Sequence, residues 1–180
     1  LASAVAVSIG TLVKPQAAFI LPVILIILLK QKKKFTDLLL YCFTGLIVFV
    51  LAFVPFSNGN VFSFTLSRLE ISAGQYPHTS VNAFNFWGLF GFWRPDNLYF
   101  QFIPYAIVIA ATIFLGIKYS KDKLSFYNLA SFVFAASFLL FTRMHERHML
   151  PVFAPLAIGA AANPLLLIPP AGFSLIYILN

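Results

Sequence analysis

The stretch that decides the fold is Leu38–Phe56, LLLYCFTGLIVFVLAFVPF, in which nineteen consecutive residues carry no charge. As an α-helix it would extend about 28 Å at 1.5 Å per residue, which matches the hydrocarbon thickness of a bilayer. The whole chain of 180 residues agrees, since 61% of its residues are hydrophobic and its mean hydropathy is +0.91. The composition therefore predicts a helical membrane protein rather than a soluble domain.

Further apolar segments lie on both sides of this stretch. Their bounds are Gln16–Leu29, Tyr99–Ile117, Phe126–Thr142, Leu150–Ala162 and Leu165–Leu179, with the last two joined at Asn163 and Pro164. The last two segments are short for full crossings, and tilt or partial re-entry would accommodate them. The pattern predicts an all-α polytopic bundle of about five to seven membrane helices. We expect residues 1–180 to form a single transmembrane domain.

The N-terminal segment allows two interpretations. Leu1–Val13 is too short to cross a bilayer alone, and Lys14 and Pro15 follow it directly. One helix of about 29 residues could continue through Pro15, which would remove one of its backbone hydrogen bonds. Alternatively, the chain turns at Lys14 and Pro15 and begins a second helix at Gln16. The turn is favoured, because a lysine at the bilayer centre would need a buried partner.

The lysines predict the orientation of the chain in the membrane. The net charge is +7, and seven of the twelve cations lie in the two short stretches Lys30–Lys34 and Lys118–Lys123. Lysine next to apolar segments marks the cytoplasmic side, so this charge indicates a membrane and not a nucleic acid as partner. Counting crossings then places the 57–97 loop and the 143–148 segment together on the extracytoplasmic side. The aromatic density of the 57–97 loop predicts at least one short helix at the membrane surface.

The sequence RMHERH at 143–148 is the strongest candidate site. It concentrates charge in a chain where only 9% of residues are charged. Arginine suits bidentate phosphate binding, and histidine can donate to phosphate or titrate. We predict that a lipid phosphate is bound by Lys14, Arg143, His145, Glu146 and Arg147, with Glu146 orienting a neighbouring cation. A simple interfacial anchor is the alternative. No cofactor is predicted; a divalent metal is a further alternative, although the His-Glu-x-x-His spacing is absent.

The long outer loop contains a second candidate set. We predict that a sugar or acceptor is bound by Asn85, Trp87, Trp93, Arg94 and Asp96. Aromatic faces stack on pyranose rings, while amide, guanidinium and carboxylate groups hydrogen-bond to hydroxyls. An aromatic belt at the membrane interface is the alternative for the tryptophans. At about 41 residues the loop is longer than most structureless connections, which also favours a functional role.

Three short motifs carry a resemblance to a known family. They are Lys14-Pro15-Gln16-Ala17 with Leu21-Pro22, Asn85-Phe86-Trp87-Gly88-Leu89, and Met144-His145-Glu146-Arg147-His148-Met149-Leu150-Pro151. Together they resemble the C-terminal half of the GT-C superfamily of membrane glycosyltransferases. The resemblance is to prokaryotic relatives of the mannosyltransferases of GPI-anchor and N-glycan assembly. His148 stands where those proteins usually have tyrosine.

This resemblance implies a function. It implies transfer of a hexose, with mannose as one candidate, from a polyprenyl-phosphate sugar to a glycan, lipid or protein acceptor. It places the protein in a prokaryotic plasma membrane with its active face outside. It also implies that the chain is part of a longer protein whose essential acidic residue, the catalytic base, lies in an earlier loop, so the catalytic residue is unknown here. The rival class is a transporter or flippase for an anionic lipid-linked glycan, which would need the same cations.

Overall fold

The computed structural model describes residues 1–162 and 168–179, which form helices joined by loops, with two isolated β-bridges and no β-strand among these residues. The α-helices in these residues are α1 (Ala2–Val13), α2 (Leu21–Lys30), α3 (Phe35–Leu51), α4 (Val61–Gly74), α5 (Leu98–Tyr119), α6 (Lys123–Leu140), α7 (Phe153–Ala162) and α8 (Ile168–Leu179). Short 3₁₀ helices occupy Pro15–Ile20, Val54–Phe56, Phe86–Phe90 and Glu146–Val152. The all-α prediction is confirmed for the described residues.

Three of the described helical segments are long and apolar enough to cross a membrane. They are Phe35–Phe56, Leu98–Tyr119 and Lys123–Leu140. Ala2–Val13 and Pro15–Lys30 are apolar but shorter, and α7 has ten residues. The predicted number of five to seven membrane helices is therefore not confirmed. The predicted joint at Asn163 and Pro164 lies outside the described residues.

The chain divides into two compact units. The first comprises Leu1–Ala18 and Leu28–Tyr76, and the second comprises Phe19–Ile27 and Pro77–Asn180. In the first unit α1 packs against α3, where Ser8 Oγ donates to the carbonyl oxygen of Gly45 over 2.8 Å. A Cβ on Gly45 would lie 3.2 Å from that Oγ, so glycine permits the close approach typical of membrane helices.

The structure confirms the predicted break at Lys14. Helix α1 ends at Val13, and Lys14 has an extended backbone with φ −149° and ψ 112°. A Cβ on Gly10 would lie only 3.3 Å from the Cβ of Ala17, seven residues later. In a continuous helix those positions would be about 10 Å apart along the axis. The alternative of one unbroken N-terminal helix is therefore wrong.

Helix α4 occupies part of the predicted outer loop, and this confirms that the 57–97 segment contains a helix. The side chain of Asn60 starts it by accepting from the backbone N–H groups of Phe62 and Ser63 at 2.9 and 3.2 Å. These N–H groups have no partner within the helix, which is why asparagine is favoured there. The orientation of α4 relative to a membrane stays a prediction.

The second unit is built on the α5–α6 hairpin. Asp122 caps α6 by accepting from the backbone N–H and the hydroxyl of Ser125 at 2.7 and 2.8 Å. The C-terminal part of α6 packs against α7 and the 3₁₀ helix Glu146–Val152, and its core includes Phe138, Met149 and Val152. This core supports the residues that follow α6, which include the predicted phosphate-binding segment.

Candidate functional site

Backbone hydrogen bonds join the 77–97 loop to the segment that follows α6. The N–H of Arg143 donates to the carbonyl oxygens of His78 and Thr79 at 3.1 and 3.2 Å. The N–H of Val81 donates to the carbonyl oxygen of Met144 at 2.9 Å. The two predicted site segments therefore lie in direct contact. We call residues 77–97 and 141–148 together the loop cluster.

The loop also bonds to itself. The N–H groups of Thr79 and Trp93 donate to the carbonyl oxygens of Arg94 and Ser80 at 2.8 and 2.9 Å, respectively. The N–H of Asp96 donates to Pro77 over 3.0 Å. This short two-stranded contact holds the two ends of the loop together. It also positions the side chain of Asp96 against the 141–148 segment.

Asp96 and Arg143 form the ion pair at the centre of the loop cluster. Arg143 Nε lies 2.9 Å from Asp96 Oδ2, and the same oxygen accepts from Thr142 Oγ1 at 2.9 Å. The Asp96 side chain is fully buried, whereas that of Arg143 keeps 29% of its surface exposed. A buried carboxylate needs a cation and hydrogen-bond donors, and it has both here. Its other oxygen, Oδ1, accepts from the backbone N–H of Asn97 at 2.7 Å. Asp96 was predicted to bind sugar or acceptor, but all three of these contacts are internal.

Three residues of the loop cluster have left-handed backbone conformations. The φ angles of Asn82, Trp93 and Arg143 are +62°, +60° and +61°. Asparagine tolerates this region, but each of the other two side chains costs about 1–2 kcal/mol there. The Arg143 backbone is held in this conformation by its two hydrogen bonds to the loop and by the ion pair of its side chain. Such strain is concentrated at binding and catalytic sites more often than elsewhere.

Asn85 and Trp87 anchor the loop to the C-terminal end of α6. Asn85 Nδ2 donates to the carbonyl oxygens of Phe138 and Phe141, both at 3.2 Å, and Trp87 Nε1 donates to Leu140 at 2.7 Å. The last carbonyl groups of a helix have no partner within it, so these donors satisfy groups that burial would otherwise penalise. The polar atoms of both predicted sugar ligands are thus engaged within the protein, while the ring of Trp87 lines a cleft.

That cleft has a volume of about 650 Å³. It is lined by Thr79, Phe86, Trp87, Phe90, Arg94, Pro95 and Phe100. Its walls are mostly aromatic, and the only charged side chain among the lining residues is Arg94. Phe100 belongs to the first turn of α5, so the cleft lies at one end of a candidate membrane span. A cleft with apolar walls and one cation suits an anionic amphiphile better than a bare sugar.

The other predicted outer-loop residues differ in their surroundings. Arg94 is exposed and has no ion pair or side-chain hydrogen bond within the described parts of the chain. Trp93 Nε1 donates to Asn82 Oδ1 over 2.7 Å, and Trp93 does not line the cleft. The structure therefore brings Trp87 and Arg94 together in the lining of the cleft, and Trp93 is not part of that lining.

The 145–148 segment forms the start of a 3₁₀ helix. His148 Nδ1 accepts from the backbone N–H of His145 over 3.2 Å and so caps the start of this helix. Burial lowers the pKa of His145, the positive charge of Arg147 lowers it further, and Glu146 opposes them. His145 is thus neutral at pH 7 and can act as a hydrogen-bonding group, while the exposed Arg147 supplies charge.

Lys14, the remaining predicted phosphate ligand, lies at the C-terminal end of α1 in the first unit. Its role as a second cation stays a prediction. Residues 1–162 and 168–179 contain no group of three or more His, Cys, Asp or Glu side chains that could hold a metal ion.

Thr142 and the aromatic wall residues Phe86, Phe90 and Phe100 were missed as site residues. For Thr142 a signal existed, because a threonine immediately before an arginine ends the apolar run of α6. The aromatic residues gave no distinct signal, because phenylalanine occurs 22 times in the chain. Comparisons of the chain with protein-family models, with curated proteins and with solved structures gave no match.

Proposed function

We propose that this chain belongs to a membrane glycosyltransferase that transfers a hexose from a polyprenyl-phosphate sugar to an extracytoplasmic acceptor. The observation that supports it best is the aromatic cleft with Arg94, built into the same loop cluster as the Asp96–Arg143 pair. The resemblance of the three sequence motifs to GT-C glycosyltransferases supports the same function. Mannose is the sugar that this resemblance favours.

The cleft has the chemical character that such a donor requires. A polyprenyl-phosphate sugar has a long hydrocarbon chain, a phosphodiester and a sugar, and it approaches from the bilayer. The cleft begins at the end of α5, so aromatic rings can contact the first isoprene units at headgroup level. Arg94 has no ion pair within the described residues, so its guanidinium is available for the phosphate. We assign Arg147, which is exposed, as the second phosphate ligand.

In the proposed reaction the bond between the sugar C1 and the phosphate oxygen breaks, and a bond forms between C1 and an acceptor oxygen. The polyprenyl phosphate leaves with its negative charge, and cations placed at that phosphate lower the barrier. Arg143 acts as a positioning residue in this proposal, because Asp96 already occupies its Nε. The acceptor hydroxyl gives its proton to a carboxylate base, which the resemblance to GT-C glycosyltransferases places in an earlier loop. Asp96 is not proposed as this base, because Arg143 and Thr142 hold it.

Tryptophan fluorescence provides the binding test. The chain has two tryptophans, so Trp93→Phe leaves Trp87, which lines the cleft, as the only one. We expect a polyprenyl-phosphate mannose to change Trp87 emission when it is titrated into protein reconstituted in nanodiscs. Loss of a charge-assisted contact costs about 1.5–3 kcal/mol, so Arg94→Gln should weaken this binding roughly ten- to hundredfold.

Arg68→Gln is the matched control. Arg68 is also exposed, but its guanidinium lies 4.9 Å from the ring centre of Phe64 in α4 and does not line the cleft. Arg68→Gln should leave the affinity for polyprenyl-phosphate mannose within about twofold of that of the protein with Arg68 intact. The activity test is transfer of labelled mannose from the same donor in membranes that contain the full-length protein, where Arg147→Ala should lower the rate of transfer. If the protein binds the donor and transfers no sugar, but moves lipid-linked glycan across vesicle membranes, the enzyme proposal is wrong and the transporter alternative is supported.

A further inference from the structure

A second cavity lies at the other end of the α5–α6 hairpin, where the two helices meet the turn at 120–122. Its volume is about 310 Å³, and it is lined by Leu115, Tyr119, Ser120, Ser125, Asn128, Leu129 and Phe132. Helix α6 has 18 residues and is therefore about 27 Å long, so this cavity is distant from the loop cluster at its opposite end. The proposed function makes no use of it.

The lining of this cavity changes in character along the helix axes. Near the turn the lining side chains are polar, namely Tyr119, Ser120, Ser125 and Asn128. Farther from the turn the lining is apolar: Leu115 lies four residues before Tyr119 on α5, and Leu129 and Phe132 follow Asn128 on α6. Both helices are candidate membrane spans, so the polar part lies at the end of a span and the apolar part toward its middle. A phospholipid has the same change from polar headgroup to acyl chain over the same distance.

Three lysines lie in the 118–123 stretch, which also contains the lining residues Tyr119 and Ser120. The ammonium of Lys118 lies 5.0 Å from the ring centre of Tyr119 and 5.3 Å from that of Phe114, which holds it beside a lining residue. Lys121 and Lys123 are exposed on the two sides of Asp122. Hydrogen bonds from Ser125 lower the pKa of Asp122, so this carboxylate is ionised and opposes the lysines. Three cations against one anion leave the turn positive, which favours an anionic headgroup.

We propose that this cavity is a binding site for one anionic phospholipid, with the phosphate at the lysines and the polar side chains and an acyl chain along Leu115, Leu129 and Phe132. The site depends on the α5–α6 hairpin and on no part of the proposed glycosyltransferase mechanism. Basic pockets between membrane helices at the cytoplasmic surface are typical sites for such headgroups.

Native mass spectrometry of the full chain in detergent tests this proposal, since no bilayer surface is present to attract lysines. With equal amounts of phosphatidylglycerol and phosphatidylcholine, we expect one phosphatidylglycerol to be retained in preference. Loss of one charge-assisted contact to a phosphate corresponds to about tenfold or more in affinity. The triple variant Lys118→Gln, Lys121→Gln, Lys123→Gln should therefore retain at least about tenfold less phosphatidylglycerol.

The matched control is a second triple variant, Lys32→Gln, Lys33→Gln, Lys34→Gln. It removes the same charge from the first unit, in a stretch that contains no lining residue, whereas Lys118 and Lys121 directly adjoin the lining residues Tyr119 and Ser120. Retention of phosphatidylglycerol by this control should stay within about twofold of the unmodified chain. Asn128→Leu, which changes no charge and preserves side-chain size, should also reduce retention and tests the site if the first triple variant misfolds. Equal losses in the two triple variants, equal retention of both lipids, or full displacement by glycerol phosphate would overturn the proposal.

Discussion

Removing either partner of the Asp96–Arg143 pair should destabilise the loop cluster by unequal amounts. The Asp96 side chain is fully buried, and the Arg143 side chain keeps 29% of its surface exposed. Arg143→Gln leaves a buried carboxylate with Thr142 as its only remaining side-chain donor, whereas Asp96→Asn leaves a guanidinium that water can reach. Breaking a fully buried pair costs about 3–5 kcal/mol. We therefore expect about 3 kcal/mol for Arg143→Gln and about 1–2 kcal/mol for Asp96→Asn, after discounting for exposure.

The double variant separates the pair interaction from other effects. Asp96→Asn with Arg143→Gln removes both charges and restores a neutral contact, so its destabilisation should be smaller than the sum of the two single values by about 1–2 kcal/mol. The assay is thermal unfolding in detergent, followed by the fluorescence of Trp87 and Trp93, which both lie in the loop cluster. The free energy of unfolding is compared at one temperature.

Arg94→Gln provides the control for this experiment. Arg94 lies two residues from Asp96 but is exposed and has no ion pair within the described residues, so its loss should change stability by less than about 0.5 kcal/mol. The reasoning is refuted if Arg143→Gln costs no more than Arg94→Gln, or if Asp96→Asn is the more damaging of the two single changes.

Three further predictions address the loop geometry, the titration of the site and the orientation of the chain. Gly88→Ala should destabilise the protein by about 1–3 kcal/mol in thermal unfolding, because its Cβ would lie 2.8 Å from a backbone carbonyl oxygen, whereas Gly74→Ala, with nothing within 4 Å, should be neutral. The pKa of His145 is lowered in the folded protein, so its contribution to stability is present above the unfolded pKa of 6.5 and is lost as the pH falls through the folded pKa. His145→Gln should therefore flatten the pH dependence of the free energy of unfolding between about pH 7 and 5. In a cysteine-free background, cysteines replacing Lys32 and Lys121 should both react with a thiol reagent only from the cytoplasmic side, and labelling from opposite sides would contradict the predicted topology.

The main helical elements followed from local patterns in the sequence. The charge-free run Leu38–Phe56 predicts a crossing, and the structure contains the helical segment Phe35–Phe56 there. The run Tyr99–Ile117 corresponds to α5. The break at Lys14 was also predictable, because the cost of a lysine at the bilayer centre depends only on local composition. Run length and residue type alone determine whether a helix can form and cross a bilayer.

Helix boundaries and helix number were less predictable. The apolar run Phe126–Thr142 suggested that α6 begins at Phe126, but its helix begins at Lys123, because Asp122 caps it through Ser125. A single capping hydrogen bond therefore starts the helix within a charged stretch, which a hydrophobicity pattern alone would assign to a loop. Likewise, α1 and α2 are apolar but shorter than the lengths that define a full span.

The contacts within the candidate site were decided by the tertiary structure. Asp96 and Arg143 are 47 positions apart, and Asn85 reaches carbonyl oxygens 53 and 56 positions away. The sequence identified Asp96, Arg143 and Asn85 as unusual polar residues on the same predicted side of the membrane, but it could not pair them. The sequence indicates which polar and charged side chains need hydrogen-bond or ion-pair partners. Which partner each side chain finds depends on how the 77–97 loop folds over the end of α6. That fold arises from backbone hydrogen bonds and buried contacts between distant segments, which leave no periodic signal in the sequence.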